Sequence, residues 1–92
     1  MDNFTIIFTE SYVRRARKFF RKHPVLLSQY DKCLQLMEVN PFHPSLRLHP
    51  LKNKLQAIYS ISITLSYRLT IEFVIQEKEI IPITIGSHDE VY

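Results

Sequence analysis

From Tyr59 onward, apolar and polar residues alternate along the chain. Tyr59, Ile61, Ile63 and Leu65 form one apolar series, Leu69, Ile71, Phe73 and Ile75 a second, and Ile81, Ile83 and Ile85 a third. A period of two predicts three half-buried antiparallel strands with one face on a core. The other face carries Ser60, Ser62, Thr64, Arg68, Thr70, Glu72, Thr84, Gly86 and His88. Directly opposed residues of an antiparallel pair share a face, so matching the faces fixes the parity of each register. This sets Thr64 opposite Arg68 in the first hairpin, across a loop of about three residues. In the second hairpin, closed by Gln76-Glu77-Lys78, Arg68 falls opposite Gly86 or His88. Either register brings a guanidinium and an imidazole onto one polar surface. Pro82 interrupts the hydrogen bonding of the third strand and demands an edge or a bulge.

Upstream, the period lengthens. Phe4 to Phe8 reads as a short strand rich in β-branched and aromatic residues. Thr9 is placed to cap a helix whose apolar stripe is Tyr12, Val13, Ala16, Phe19 and Phe20. His23-Pro24 breaks that helix, and Pro24 suits the first turn of a second one. Leu26, Leu27, Tyr30, Cys33, Leu34 and Met37 make the second stripe, which ends at Asn40-Pro41. So short a link predicts a helical hairpin packed on the sheet. Pro41, Pro44 and Pro50 then argue for an extended, turn-rich connector, with Asn53 suited to a left-handed turn. The expected architecture is α+β: a small antiparallel β-sheet packed against an N-terminal α-helical hairpin, in the order β-α-α-β-β-β. With 92 residues it is one domain, 1–92.

Charge adds a direction. Residues 1–54 hold ten Lys/Arg and four Asp/Glu, a net of +6, while residues 55–92 hold two and five, a net of −3. The first helix alone bears Arg14, Arg15, Arg17, Lys18, Arg21 and Lys22, and the connector bears Arg47, His49, Lys52 and Lys54. Such asymmetry fits either a solvated basic face or a polyanionic partner, nucleic acid or an acidic protein segment. The single cysteine, Cys33, excludes an internal disulfide and falls within an apolar stripe, as a packing residue would. No signal-peptide pattern or membrane-length apolar run is present, so a soluble cytoplasmic protein is expected, with no membrane partner. His49, His88 and Asp89 follow no recognised ligand spacing, and neither metal nor cofactor is expected. His23 and His43 flank prolines in turns and read as structural or exposed.

The order strand, basic helix, second helix, Asn40-Pro41, Leu48-His49-Pro50-Leu51-Lys52, Tyr67-Arg68-Leu69 and Ile85-Gly86-Ser87-His88-Asp89-Glu90-Val91-Tyr92 resembles the RelE/ParE toxin superfamily. Within it, the RelE- and YafQ-like mRNA-cleaving toxins of type II toxin–antitoxin pairs are most similar. The resemblance spans essentially the whole chain; the connector and the C-terminal block carry most of it. It implies a RelE-like fold, ribosome-dependent cleavage of mRNA, and neutralisation by a cognate antitoxin protein. Arg68 matches the arginine that holds the scissile phosphate, and His88 the near-terminal acid/base histidine of YafQ- and YoeB-like members. Tyr92 matches a terminal aromatic position, and His49 a histidine of the YafQ-like connector. Lys52 and Lys54 resemble lysines placed near the phosphate. Two positions depart from the pattern: Asp89 stands where YoeB-like members have tyrosine, and Asn53 where the Leu-Lys segment ordinarily continues with glycine.

The implied chemistry is metal-free. A base removes the 2′-OH proton, the oxygen attacks phosphorus, and an acid protonates the leaving 5′-oxygen. Arg68 is the candidate for meeting charge on the phosphoryl oxygens, with Lys52, Lys54 and Arg47 widening the RNA-binding cradle. His88 and His49 are candidates for the proton transfers and Tyr92 for stacking a base. Arg14, Arg17 and Arg21 are candidates for docking the acidic antitoxin. Against these stand plainer readings: Arg68 paired with Glu72, His49 as a connector residue, and inert surface histidines. The alternative function is a ParE-like DNA gyrase inhibitor, or an inactive member that only binds antitoxin.

Overall fold

A computed structural model describes residues 3–51 and 57–87. In chain order the elements are β1 (Thr5–Ile6), α1 (Glu10–Lys22), α2 (Leu27–Val39), β2 (His49–Pro50), β3 (Ile58–Ser62), β4 (Tyr67–Val74) and β5 (Glu79–Ser87). The strands form one five-stranded sheet in the order β1-β5-β4-β3-β2. The α+β class holds, but the sheet is mixed rather than antiparallel. β1 runs parallel to β5, with Thr5 beside Glu79 and Ile6 beside Ile80.

Thr9 caps α1 as its sequence position suggests, its hydroxyl accepting the Tyr12 N–H at 3.2 Å. Pro24 opens a 3₁₀ turn, Pro24–Leu26, that runs directly into α2. This turn shifts the stripe of the second helix, so Leu27, expected inside, is 44% exposed. The helices join at a buried polar contact: the hydroxyls of Tyr12 and Tyr30 lie 2.6 Å apart, and the Tyr30 ring packs on Phe20. Burial first, and then the Tyr30 hydroxyl, pushes the Tyr12 phenol far above its ordinary pKa. Cys33 lies buried where α2 meets β3, its thiol donating to the Ser62 carbonyl at 3.6 Å. Tyr12, Cys33 and Met37 from the helices meet Ile61, Leu69, Ile71, Phe73 and Ile80 from the sheet in one apolar cluster.

Four expectations for the strands are corrected. Leu65 and Ile75 are exposed, at 73% and 52%, because the chain has already turned at both positions. Arg68 faces Ser62 across the β3–β4 ladder, not Thr64. The Thr64 hydroxyl instead accepts the N–H groups of Ser66 and Tyr67 and so closes the loop. In β5 the core residues are Ile80, Pro82 and Ile85 rather than Ile81, Ile83 and Ile85. Thr70 pairs with Thr84 but the next residue, Ile71, pairs with Pro82, so Ile83 is the extra residue of a bulge. That bulge is how an inner strand accommodates Pro82, whose nitrogen has no hydrogen to give to the ladder.

The connector also holds a strand that the prolines conceal. β2 is an edge strand, where Pro50 is tolerated, and it pairs His49 with Ser60. Arg47 takes the left-handed turn before it, at φ 51°; Asn53, the residue suggested for such a turn, lies outside the described residues.

Candidate functional site

The ladders settle which side chains share the polar face of the sheet. One row runs His49, Ser60, Thr70, Thr84 across β2, β3, β4 and β5; the next runs Ser62, Arg68, Gly86 across β3, β4 and β5. Of the two registers open to Arg68 on β5, the structure selects Gly86. Arg68 is thus flanked by a small side chain on one side and by none on the other.

This face was expected to be an exposed surface. Instead its middle is enclosed: Ser60 is 0% and Ser62 and Thr70 are each 6% exposed, while Arg68 is half-buried. Three buried polar atoms here have no hydrogen-bond partner among the described residues: Ser62 Oγ, Arg68 Nε and Thr70 Oγ1. Orphaned buried donors and acceptors are uncommon in folded proteins, and each costs about 1–3 kcal/mol. Their clustering around one arginine makes this the candidate place for oxygen-rich ligand atoms. Arg68 does not spend its charge on Glu72: the two residues are on the same face but form no ion pair among the described residues.

His49 stands on the same face, two strands from Thr70, or roughly 10 Å at ordinary strand spacing. Its Nδ1 lies 3.1 Å from the Arg47 carbonyl oxygen. A carbonyl can only accept, so Nδ1 carries the proton, and in the neutral ring Nε2 is the basic nitrogen. His43 has the opposite assignment. Its Nδ1 accepts the Ser45 N–H at 3.1 Å and caps the turn Pro44–Leu46, a structural role.

The structure therefore brings Arg68 and His49 onto one face. Arg47 is exposed beside His49. His88, Tyr92, Lys52 and Lys54 lie outside the described residues. Arg14, Arg17 and Arg21 are exposed along α1, away from this face. Among the described residues no group of three His, Cys, Asp or Glu is arranged to hold a metal ion, and no helix is long and apolar enough to cross a membrane. Sequence reading missed the enclosure of Ser62 and Thr70 and the strand under His49. The alternation put both hydroxyls on the correct face, but burial of a polar face leaves no mark in the period.

No protein-family model matches the sequence, and no curated protein matches it. Solved structures do match. A chain of the E. coli DinJ-YafQ toxin–antitoxin complex superposes with a TM-score of 0.77 at 14% identity, covering 98% of each chain. A YoeB/ParE toxin from Agrobacterium tumefaciens gives 0.69 at 17% identity, covering 91% of this chain and 98% of that one. The RelBE2 toxin–antitoxin complex from Mycobacterium tuberculosis gives 0.61 at 16% identity, over 94% and 99%. At such identities the likeness is one of fold.

Proposed function

We propose that this chain, which has the fold of the RelE/ParE toxins, is the toxin of a type II toxin–antitoxin pair and cleaves mRNA on the ribosome. The observation that carries the reading is Arg68: half-buried, beside Gly86 and the hydroxyls of Ser62 and Thr70, and with no carboxylate partner among the described residues. A structural arginine would be neutralised by an acid; one kept for a phosphate would not.

In the reaction, a base takes the 2′-OH proton and the 2′-oxygen bonds to the adjacent phosphorus. The bond from phosphorus to the 5′-oxygen breaks, and that oxygen leaves with a proton from an acid. The products are a 2′,3′-cyclic phosphate and a 5′-hydroxyl. Arg68 meets the charge that builds on the non-bridging oxygens, in an enclosed site where such an interaction is strong. His49 presents Nε2 as the base, and His88 donates to the leaving oxygen. Lys52, Lys54 and Arg47 hold the flanking backbone, and Tyr92 stacks a base. Arg14, Arg17 and Arg21 dock an acidic antitoxin segment.

Primer extension on a defined mRNA in a purified translation system tests this. Cuts that need ribosomes and vanish with Arg68→Ala and with His88→Ala support the assignment. Intact mRNA with the wild-type protein refutes it and directs attention to a gyrase supercoiling assay.

A further inference from the structure

Helix α1 carries its cations in two rows. Arg14, Arg17 and Arg21 repeat at spacings of three and four, and so do Arg15, Lys18 and Lys22, so each triple lines its own flank. The flanks face different cavities. Arg14 and Arg17 border a space of about 320 Å³ with Phe8, Glu10 and Val13. Arg15, Lys18 and Lys22 border one of about 290 Å³ with Phe19, His23 and Ile85. The first mixes cations with an exposed phenylalanine and a carboxylate, as suits an amphipathic peptide. The second combines three cations and an imidazole, with no acid in its lining among the described residues.

We propose that this second cavity is a backbone-phosphate subsite for single-stranded RNA, taking a phosphate further along the strand than the one held at Arg68. The inference rests on the ribonuclease reading and extends it to a residue set that reading leaves idle.

Position is the first argument. β1 pairs with β5 only at Glu79 and Ile80, so beyond them the β5 edge faces α1. Arg15 fastens the two, its Nη1 donating to the Ile83 carbonyl at the bulge, at 3.0 Å. The cavity opens at Ile85, on the core face of β5, while the next residue, Gly86, lies opposite Arg68 on the polar face, so the two places are separated by the β5 edge. A polynucleotide leaving Arg68 meets no side chain at Gly86 and reaches Lys18 and Lys22 by turning round the β5 edge.

Charge and shape give the second argument. Basic residues in the last turn of a helix complement its dipole, which accounts for Arg21 and Lys22. Arg15 and Lys18 lie further upstream, where the dipole makes no such demand. Beside them the rings of Phe19 and His23 are 4.5 Å apart, and Tyr67 closes the group at 5.0 Å from His23. Cations interleaved with flat rings suit a nucleic-acid strand, whose phosphates and bases alternate.

The test is binding of a fluorescent 2′-O-methyl RNA hexanucleotide, which lacks the attacking hydroxyl, followed by anisotropy across a salt series. Lys18→Ala/Lys22→Ala is expected to weaken binding at low salt roughly tenfold and to reduce the log–log salt slope by about 0.7. Lys32→Ala, on the exposed side of α2, should leave both unchanged. A 2′-O-methyl dinucleotide, with its single phosphate, should respond to Arg68→Ala and not to the lysine change. An unaltered hexanucleotide affinity in the lysine variant overturns the subsite, as does absence of RNA binding by the wild type at low salt. A variant that loses affinity for a poly-glutamate peptide but not for RNA overturns it too, and assigns the cavity to an acidic protein. The ribonuclease reading fails separately, if ribosome-bound mRNA stays intact; the hexanucleotide result then stands on its own.

Discussion

Arg68 and Gly86 face one another across the β4–β5 ladder, and Gly86 is the sole glycine of the chain. No glycine among the described residues has positive φ, so the backbone at Gly86 does not require this residue. What glycine supplies is room, since a side chain there would project from the same face as Arg68. Gly86→Val is therefore expected to keep the fold, valine being at home in a strand, while displacing the guanidinium. Cleavage should fall about a hundredfold, the cost of a misplacement near 1 Å. Circular dichroism and a melting curve alongside the cleavage assay check both halves of the claim. Full activity in a folded Gly86→Val protein would show that the space is not used.

Arg68 itself should separate stability from activity. Its Nε is buried without a partner among the described residues, which burdens the fold, whereas methionine fills a similar volume with no polar atom. Arg68→Met is expected to raise stability by about 1 kcal/mol in urea titration. The same change should lower cleavage by about 10²–10³-fold, as loss of a preorganised charge does. Arg68→Lys should rescue only part, because an ammonium lacks the fork that grips two phosphate oxygens. A destabilised Arg68→Met protein would mean that the arginine holds the sheet together.

Much of this was legible in the residues, and what was not has identifiable causes. Thr9, Pro24 and Asn40-Pro41 each act through local backbone chemistry, so the helix boundaries follow from neighbours alone. The shared face of Arg68 and Gly86 followed from parity, which survives any even slip of register. The bulge at Ile83 broke that parity further down β5 and moved Ile80 and Pro82 into the core. Pro82 signalled an irregularity without saying which side would absorb it. β1 beside β5 and His49 beside Ser60 depend on where distant segments settle, and a short strand carries no period to read. The isolation of Ser62 Oγ, Thr70 Oγ1 and Arg68 Nε is a property of three-dimensional packing alone.

His49 offers a test of the base assignment that spares its surroundings. The ring donates from Nδ1 to the Arg47 carbonyl, and the amide of asparagine can make the same donation. His49→Asn should therefore keep the β2 pairing with Ser60 and the affinity for a non-cleavable RNA. Single-turnover cleavage on the ribosome should drop by about 10²–10⁴-fold, the usual contribution of a positioned base. Equal cleavage by wild type and His49→Asn would return the histidine to a connector role.

The Tyr12–Tyr30 hydroxyl pair governs stability at high pH. Burial is the leading cause that raises both phenols above their ordinary value of 10.0. The folded chain thus favours the protonated forms. Stability from this preference is complete below the unfolded-state pKa, near 10, and is lost as the pH climbs beyond it. Each phenol should then subtract about 1.4 kcal/mol per pH unit. Tyr12→Phe or Tyr30→Phe alone leaves the other hydroxyl buried without its partner and should cost about 1–3 kcal/mol at neutral pH. The double change removes both polar atoms, so its cost should fall below the sum of the single ones. It should also flatten the alkaline decline. Urea titrations of the four proteins at pH 7 and at pH 11 measure both effects, and additive costs with an unchanged alkaline slope would show that the pair is not coupled.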